Sequence, residues 1–254
     1  MADALVIMLN SYGYQPVFLP RTGLVPPELY NLAKKKLVRR GELARFFQKP
    51  VSFTPTKGRL ADLQGKLTSN KNYGAAIDFL QQALRALGIS AVPKVDLSFT
   101  GSKEFTFAFS DVTYQAVDPA VLDGSLQDLS IPLAIPDSYV QFGDLHIAYE
   151  YAYAKTLTMS RSDGKSFDAD LRGDVGTYIT LGAKGSVELK SNSTVSFSSG
   201  SEEVAAFAYK AGQLQKDKDR WTFKPEVVKR AKDGTDKPEV YVPSRNRVLV
   251  AEEG

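Results

Sequence analysis

Two stretches of the chain alternate apolar residues with small or polar ones for longer than an ordinary strand. The first runs from Ile147 to Met159 and the second from Ile179 to Leu189. Because successive side chains of a strand point to opposite faces, each stretch is predicted to have one apolar and one polar face. The apolar positions are the odd ones: Ile147, Tyr149, Tyr151, Tyr153, Leu157, Met159, Ile179, Leu181, Ala183, Val187 and Leu189.

This alternation has two interpretations. A membrane-crossing strand needs about 9 to 11 tilted residues with a lipid face and a water face, and it must belong to a closed barrel. An antiparallel sheet with one face on a soluble core produces the same pattern. The pattern alone leaves both open.

Two more segments are predicted as amphipathic strands of a hairpin. Apolar residues alternate on both sides of a polar connection at residues 101–104, which is typical of two antiparallel arms. The apolar positions are Val95, Leu97 and Phe99 on one arm, and Phe105, Phe107 and Phe109 on the other.

Other local signals predict further elements. Proline in a first turn followed by an acid is typical of a helix start, and leucines three and four apart indicate a helix face. The predictions are a strand at Gln15–Leu19, a helix from about Glu28 to Arg40, a strand at Lys49–Phe53, a helix at Asn72–Leu87 and a helical turn at Asp118–Gln127. The polar segments Ser160–Gly176 and Ser191–Gly200 are interpreted as connections.

The last part of the chain contains two short apolar runs in a polar background, Val240–Val242 and Val248–Val250. Their hydrophobicity predicts that they dock on the body, as edge strands or as an apolar clasp, rather than fray.

Composition restricts the class of protein. The chain has 254 residues, of which 43% are hydrophobic, enough for one large domain or two small ones. No apolar run approaches the roughly 18 residues of a membrane-spanning helix, and the start lacks the basic region of a secretory signal. The expected location is therefore the cytoplasm.

Catalytic and metal chemistry find little support. The chain contains no cysteine and one histidine, and it lacks Gly-x-Ser-x-Gly, Walker and Rossmann motifs. The acids Asp163, Asp168, Asp170 and Asp174 break the spacing of a calcium loop. The sequence predicts no enzyme, no cofactor and no metal site.

A basic cluster stands out although the net charge is only +3. Near an anionic membrane each basic residue contributes about 1 kcal/mol, and phosphates of nucleic acid attract such a cluster as well. A solvated helix face is the plain alternative. Because no stacking aromatics lie beside it, lipid is favoured and no nucleic-acid partner is predicted. The cluster consists of Lys34, Lys35, Lys36, Arg39 and Arg40.

In the order of these features the chain resembles the bacterial gasdermins. The resemblance rests on the opening Ser11–Thr22, the helix at 72–87, the two strand pairs, and the late string Ala206–Leu214 followed by Trp221–Phe223. It implies an α+β fold with a twisted, mostly antiparallel sheet and surrounding helices. It also implies a pore-forming domain at 1–237 and an autoinhibitory tail at 238–254.

The function implied by this resemblance is a protease-activated cell-death effector in antiphage defence. A caspase-like protease would clip the tail of a cytoplasmic monomer, which would then insert two hairpins, from about 95–114 and 147–189. Many copies would form a large homo-oligomeric β-barrel pore in the bacterial inner membrane, with the basic cluster facing anionic lipid. The expected cleavage region is Asn246, Arg247, Val248 and Leu249.

One departure from the family concerns an acylated cysteine that bacterial relatives commonly carry close to the start. This chain has none, and Ala4 or a neighbour stands where it is expected. Either this member dispenses with the lipid or the position carries a replacement.

The alternative function is a soluble α+β module that binds an apolar ligand or a protein partner, and an enzyme ranks third. Dye release from anionic liposomes before and after proteolysis near residue 249 distinguishes a pore from a binding module. On the pore interpretation, Tyr151→Asp or Leu181→Asp is expected to abolish leakage and leave the folded state intact.

Overall fold

The described part of the chain folds mainly into strands. The computed structural model describes residues 9–33, 36–68, 83, 104–128, 132–141, 144–161, 185–199, 204–217, 220–226 and 248–250. The strands are β1 (Gln15–Arg21), β2 (Glu28–Ala33), β3 (Lys36–Glu42), β4 (Thr56–Arg59), β5 (Leu63–Thr68), β6 (Glu104–Ser110), β7 (Thr113–Ala116), β8 (Leu145–Ala154), β9 (Thr156–Arg161), β10 (Gly185–Ser191), β11 (Thr194–Ser199), β12 (Ala205–Asp217), β13 (Arg220–Pro225) and β14 (Val248–Val250). The helices are α1 (Pro119–Gln127), α2 (Asp137–Gln141) and a short 3-10 helix at Leu43–Phe46.

Nine strands form one sheet in the order β13-β12-β1-β14-β3-β2-β8-β7-β4, and β12 also pairs with β8. This extra pairing closes a six-strand ring made of β1, β14, β3, β2, β8 and β12. Within the ring, β8, the first four residues of β2 and most of β12 are buried on both faces, and small residues such as Ala148 and Ala152 fill β8 beside its tyrosines. The cluster formed by the ring strands and Leu24 consists of Val17, Leu24, Tyr30, Leu37, Ala148, Tyr151, Tyr153, Ala206, Tyr209 and Ala211.

A second core packs residues of β2, β8, β12 and β13 with helix α1. Asp118 caps α1, since its side chain accepts a hydrogen bond from the Ala120 amide at 2.7 Å, and Pro119 occupies the first turn. The predicted helical turn at 118–127 is therefore confirmed. Its buried leucines, Leu122 and Leu126, join a cluster that includes Leu29, Ile147, Leu214 and Phe223.

Five strands form the other sheet, in the order β10-β11-β9-β6-β5, and every neighbouring pair is antiparallel. Three of its strands continue directly from the first sheet, because β4 leads into β5, β6 into β7 and β8 into β9. The links are only Leu60–Asp62, Asp111–Val112 and Lys155. We call these three links the corner, and the opposite end of the five-stranded sheet, at Thr68, Glu104 and Arg161, the far end.

The predicted long strand from Ile147 to Met159 is thus β8 and β9 joined at Lys155, in two different sheets. Its odd positions do not share one face. The register between β8 and β12 shifts at Lys210 and Ala211, so Ile147 and Tyr149 pack in the second core whereas Tyr151 and Tyr153 lie in the ring cluster. A bulge that adds one residue to a strand has this effect on alternation.

The alternation of the remaining long-run segments is confirmed where they are described. In β9 the residues Leu157 and Met159 are buried while Thr156 and Thr158 are half-buried. In β10 the residue Val187 is buried and Leu189 half-buried, whereas Ser186, Glu188 and Lys190 are exposed. Ile179, Leu181 and Ala183 lie outside the described residues.

The predicted helix at 28–40 is wrong. Residues 28–42 form the antiparallel pair β2 and β3, with Tyr30 opposite Arg39 and Leu32 opposite Leu37. Glu28 through Asn31 are consecutively buried, which a strand covered on both sides permits and a surface helix with a basic face does not. Contacts with β8 therefore override the local helix-start signal.

Two strand predictions need correction. Phe105–Phe109 lies in a strand, but both edges of β6 are occupied by β5 and β9, so the predicted hairpin with residues 95–99 is not the pairing of the described segment. Residues 49–53 form no strand. The positions Val95, Leu97 and Phe99 lie outside the described residues, as does the predicted helix 72–87 except for the helical, buried Ala83.

The supposed connection Ser191–Gly200 contains a strand, β11, which stands between β9 and β10. The described parts of the two long alternating runs, β9 and β10, therefore do not pair directly with each other. The predicted strand at 15–19 is confirmed as β1, and it continues through Pro20 to Arg21. The segment 248–250 docks as predicted, although inside the nine-stranded sheet rather than at an edge.

Candidate functional site

The tail strand β14 occupies a central place in the six-strand ring. It runs parallel to β1 on one side and to β3 on the other, with Leu249 at the register position between Val17 and Leu37. Val17 and Leu37 both belong to the buried ring cluster. Without β14, the facing edges of β1 and β3 lose their partner, and unpaired edges are prone to pair with other chains.

The predicted cleavage region is divided by the start of β14. Val248 and Leu249 lie in β14, while Asn246 and Arg247 lie outside the described residues. A bond within a strand that is paired on both sides is a poor protease substrate, because cleavage requires exposed backbone. Val248 and Leu249 are therefore poor cleavage positions while β14 is docked, and the cleavage region as a whole stays a prediction.

Of the basic cluster, the structure describes Arg39 and Arg40 fully. They are neighbours in β3 and so belong to opposite faces of the sheet. Lys36 begins β3, and Lys34 and Lys35 lie outside the described residues. The five residues are therefore not one helix face, and their role in lipid binding stays a prediction.

Arg39 belongs to a buried polar network. Its Nη2 donates to Oε1 of Glu28 at 2.6 Å, and the Glu28 side chain is only 1% exposed. The hydroxyls of Tyr30 and Tyr151 donate to Oε2 of Glu28 at 2.9 and 2.8 Å. The hydrogen bond to Glu28 raises the pKa of Arg39, and burial, reinforced by the Glu28 charge, raises the pKa of Tyr30. This network ties β2, β3 and β8 together inside the ring.

Arg40 is held on the other face. Its Nε donates to Oδ1 of Asn31 at 2.6 Å, and its guanidinium lies 4.6 Å from the ring centroid of Tyr139. Such a cation–π contact fixes the side chain against α2. Both arginines thus have partners within the fold.

A second network joins β1, β8 and β12. Tyr14, just before β1, donates its hydroxyl to Glu150, whose Oε1 also accepts from Nζ of Lys210 at 2.9 Å. Lys210 lies over the Tyr14 ring at 4.5 Å. Burial, followed by the hydrogen bond to Glu150, raises the pKa of Tyr14. The single histidine, His146, is buried with Nδ1 at 3.5 Å from Glu226.

The polar face of the five-stranded sheet carries pairs of hydroxyl groups. Between β9 and β11 the directly opposed pairs are Thr156–Ser198 at 3.0 Å, Thr158–Ser196 at 3.2 Å and Ser160–Thr194 at 3.0 Å. Lys66 of β5 and Glu104 of β6 add an ion pair at 2.7 Å near the far end. This face is hydrophilic with few unbalanced charges.

The opposite face of that sheet is apolar and buried against the rest of the protein. Phe109 stacks on Phe207 of β12 at 4.2 Å, which joins the two sheets. Phe107 packs over Gly65, where a Cβ atom would lie 2.3 Å from its ring. The buried residues of this face are Leu63, Phe107, Phe109, Leu157, Met159, Val187, Val195 and Phe197.

Two of the missed strands, β11 and β5, belong to this sheet, and the sequence contained signals for both. In β11, Thr194, Ser196 and Ser198 alternate with Val195 and Phe197, and the many serines obscured this pattern. In β5, Leu63, Gly65 and Leu67 hold the apolar positions with Gly65 as the weak point. Both strands complete the amphipathic sheet.

An open cleft of about 890 Å³ lies between β12, β13 and the helices. Charged side chains line it, among them Asp123, Asp144, Lys216 and Lys224. Apolar side chains line it as well, among them Leu214, Trp221 and Phe223, so the cleft has a mixed lining. Among the described residues, no cluster of His, Asp and Glu side chains is arranged as a metal site, and no helix is long and apolar enough to span a membrane.

Fold and site together define an α+β protein in which a strand-closed ring is continuous with an amphipathic antiparallel sheet. Residues 17–222 match the family model described as Bacterial Gasdermin Family, and the chain belongs to this family. Bacterial gasdermins are pore-forming proteins, so membership supports a pore-forming effector.

Individual relatives agree with this assignment. The chain is 39% identical to gasdermin bGSDM of Piscinibacter sakaiensis over 99% of its own length and 96% of the relative. It is 23% identical to gasdermin bGSDM of Vitiosangium sp. over 84% of this chain and 81% of that protein. The fold matches the structure of a bacterial gasdermin from Bradyrhizobium tropiciagri with a TM-score of 0.63 at 14% identity, covering 89% of this chain and 92% of that one.

Proposed function

We propose that the chain is an autoinhibited pore-forming effector that is activated when a protease removes the tail at 238–254. The observation that supports this most directly is the position of β14 between β1 and β3. A three-residue strand is short, and its docking depends on its covalent attachment to the body.

Cleavage changes the strength of this docking without changing any contact. A tethered segment acts at an effective concentration on the order of millimolar, whereas a released fragment binds at its own low concentration. A cut at Asn246 or Arg247 leaves β14 on a short fragment that can dissociate. The ring then loses the strand that separates β1 from β3.

The five-stranded sheet supplies the amphipathic strands that insert into the membrane. Its apolar face is buried in the resting protein, and its polar face carries the hydroxyl pairs of β9 and β11. Burial of the same apolar residues in lipid contributes a favourable transfer free energy of about 25 cal/mol per Å² of apolar surface removed from water. Because unpaired strand edges are costly in lipid, insertion proceeds through many copies that form a closed β-barrel.

The remaining parts of the proposal follow from the same scheme. The monomer is cytoplasmic, the pore forms in the bacterial inner membrane, and cell death limits phage spread. Anionic lipid is the membrane partner of the basic cluster Lys34 to Arg40, and a caspase-like protease is the activator. The inserting residues are the predicted positions in β6, β9 and β10, together with those that lie outside the described residues, whereas Ile147, Tyr149, Tyr151 and Tyr153 of β8 stay in the body.

Dye release from anionic liposomes tests this function. A recognition sequence for a site-specific protease, inserted before Val248, allows the tail to be cut at will. We expect release only after the cut, together with assembly into large oligomers visible by sedimentation. The chain without the inserted site, treated with the same protease, is the control. A cut protein that stays monomeric and leaves liposomes sealed would falsify the proposal.

A further inference from the structure

Removal of the tail leaves a gap in the six-strand ring between β1 and β3. The other five ring strands stay linked without β14, because β1 pairs with β12, β12 with β8, β8 with β2 and β2 with β3. The ring therefore opens at one place only, and β1 and β3 face each other across two strand spacings, about 10 Å. We call this gap the slot.

Contacts within the body hold β3, one wall of the slot, on both faces of the sheet. On one face, Arg39 donates to Glu28 of β2 at 2.6 Å. On the other face, Arg40 donates to Asn31 of β2 at 2.6 Å and lies over the ring of Tyr139. Six residue pairs between β2 and β3 add a backbone ladder. None of these contacts involves the tail.

The start of β1, the other wall, is held in a similar way. The hydroxyl of Tyr209 in β12 donates to Oε1 of Gln15 at 2.9 Å, and Nε2 of Gln15 donates to Glu226 at 2.7 Å. Tyr14, just before β1, donates its hydroxyl to Glu150 of β8. Direct pairing of β1 with β3 would require the two strands to approach by about 5 Å, and the contacts of both walls oppose that movement. The slot therefore stays open after the tail leaves.

The walls define the kind of occupant that the slot accepts. Both run parallel to β14, and Leu249 stands in register between Val17 and Leu37, which are 0% and 2% exposed. An occupant must therefore be an extended peptide that runs in the same direction and has an apolar residue at this position. Proline is excluded there, because it cannot donate a backbone hydrogen bond to a neighbouring strand.

We propose that the slot is a peptide-binding site that takes up an extended apolar peptide in trans, and that its occupation returns the cut protein to rest; this regulation rests on the proposed function. The docked tail indicates the affinity. Because the tethered tail is docked at an effective concentration on the order of millimolar, its intrinsic dissociation constant lies below that value. Free tail peptide at about millimolar concentration therefore fills the slot, whereas the released fragment is only as concentrated as the protein and dissociates.

Dye release with added peptide tests the regulation. The full-length chain carries the inserted protease site before Val248, and a synthetic peptide of residues 244–254 is added before the cut. The matched control peptide carries Leu249→Pro, which removes one backbone donor and keeps the rest of the sequence. We expect the tail peptide at a few millimolar to reduce release from anionic liposomes by about tenfold, and the proline peptide to change it by less than about twofold.

Disulfide capture without liposomes tests the place and the direction of binding, and the chain has no cysteine that would compete. The half-buried Val38 stands opposite Val250, whereas a peptide running the other way, with Leu249 still opposite Leu37, would bring Val248 there. We expect the cut Val38→Cys protein to capture a peptide carrying Val250→Cys and not one carrying Val248→Cys. The uncut protein is expected to capture neither, because its own tail occupies the slot.

Two results would overturn the inference and leave the proposed function standing. One is undiminished dye release in the presence of the tail peptide, or equal suppression by the proline peptide. The other is equal capture of the two cysteine peptides, because the slot would then not set the direction of its occupant. Liposomes that stay sealed after the cut without any peptide would instead refute the proposed function and the regulation with it, while the capture experiment would still decide whether the slot binds a peptide.

Discussion

The six-strand ring and the five-stranded sheet share one bent strand, β8 continued as β9, yet they bury its two halves differently. In the ring, β8 is buried on both faces and its tyrosines donate to a buried glutamate. In the sheet, β9 has one buried apolar face and one face of half-buried hydroxyls. A strand that is covered on both faces lacks a polar face that could line a water-filled pore. An amphipathic strand has such a face, and its apolar face can exchange contacts with protein for contacts with lipid. Under the proposed function, this difference favours the ring as the part that keeps its fold and the sheet as the part that refolds.

The largest effect that separates the two regions is expected from one polar substitution in each. Tyr151 is fully buried, so Tyr151→Asp places a carboxylate in the ring cluster, and we expect a loss of at least about 4 kcal/mol in the free energy of unfolding. Thr158→Asn on the polar face is expected to change it by about 1 kcal/mol or less. Urea unfolding followed by tryptophan fluorescence measures both.

This expectation replaces the one drawn from alternation alone, in which Tyr151→Asp left the folded state intact. Loss of dye release by Tyr151→Asp would then report unfolding and say nothing about a membrane face. A folded Tyr151→Asp protein with an unchanged urea midpoint would contradict the assignment of β8 to a fixed body.

A smaller effect is expected from the ion pairs. Glu28→Gln removes the charge that holds Arg39 and two tyrosine hydroxyls in the ring, and we expect a cost of about 2–4 kcal/mol. The matched control is Glu42→Gln, which breaks an exposed pair with Arg45 and is expected to cost about 0.5 kcal/mol or less. Similar urea midpoints for the two variants would argue against a special role of the buried network.

The smallest effect concerns pH. The pKa of Tyr30 is raised in the folded state by burial and by Glu28, whereas in the unfolded chain it lies near 10. A folded-state pKa above the unfolded-state pKa contributes to the free energy of unfolding, and this contribution is fully present at pH values below the unfolded-state pKa. It is lost as the pH rises from the unfolded-state pKa towards the folded-state pKa. We expect the urea midpoint to fall above about pH 10, and Tyr30→Phe to reduce this fall. An identical pH profile in the variant would remove Tyr30 as its source.

Local signals predicted the elements whose determinants are close in sequence. Asp118 and Pro119 define the start of α1, and the alternation around Leu157 or Phe107 identifies β9 and β6. The hairpin of β2 and β3 was missed because its burial depends on β8, which is remote in sequence. The change of face after Tyr149 depends on a register shift with β12, and it leaves no mark in β8 itself.

The candidate site was predictable in part for the same reason. The tail segment was correctly expected to dock, since Val248–Val250 is apolar in a polar background. Its place between β1 and β3 was not predictable, because those strands lie near the other end of the chain. For the basic cluster, the run of charges was evident from the sequence. The placement of Arg39 and Arg40 on opposite faces was not, because it follows from strand β3, which the sequence did not indicate.

The corner sets a mechanical limit on any rearrangement. One residue joins β8 to β9, two join β6 to β7 and three join β4 to β5. Since consecutive Cα atoms are about 3.8 Å apart, these tethers allow displacements of only a few ångströms to about a nanometre at that end. Three short links therefore hold one end of the sheet, and any large displacement is expected at the other end, which carries Thr68, Glu104 and Arg161. A force applied there would pass through the three links to β4, β7 and β8, of which β8 belongs to the ring.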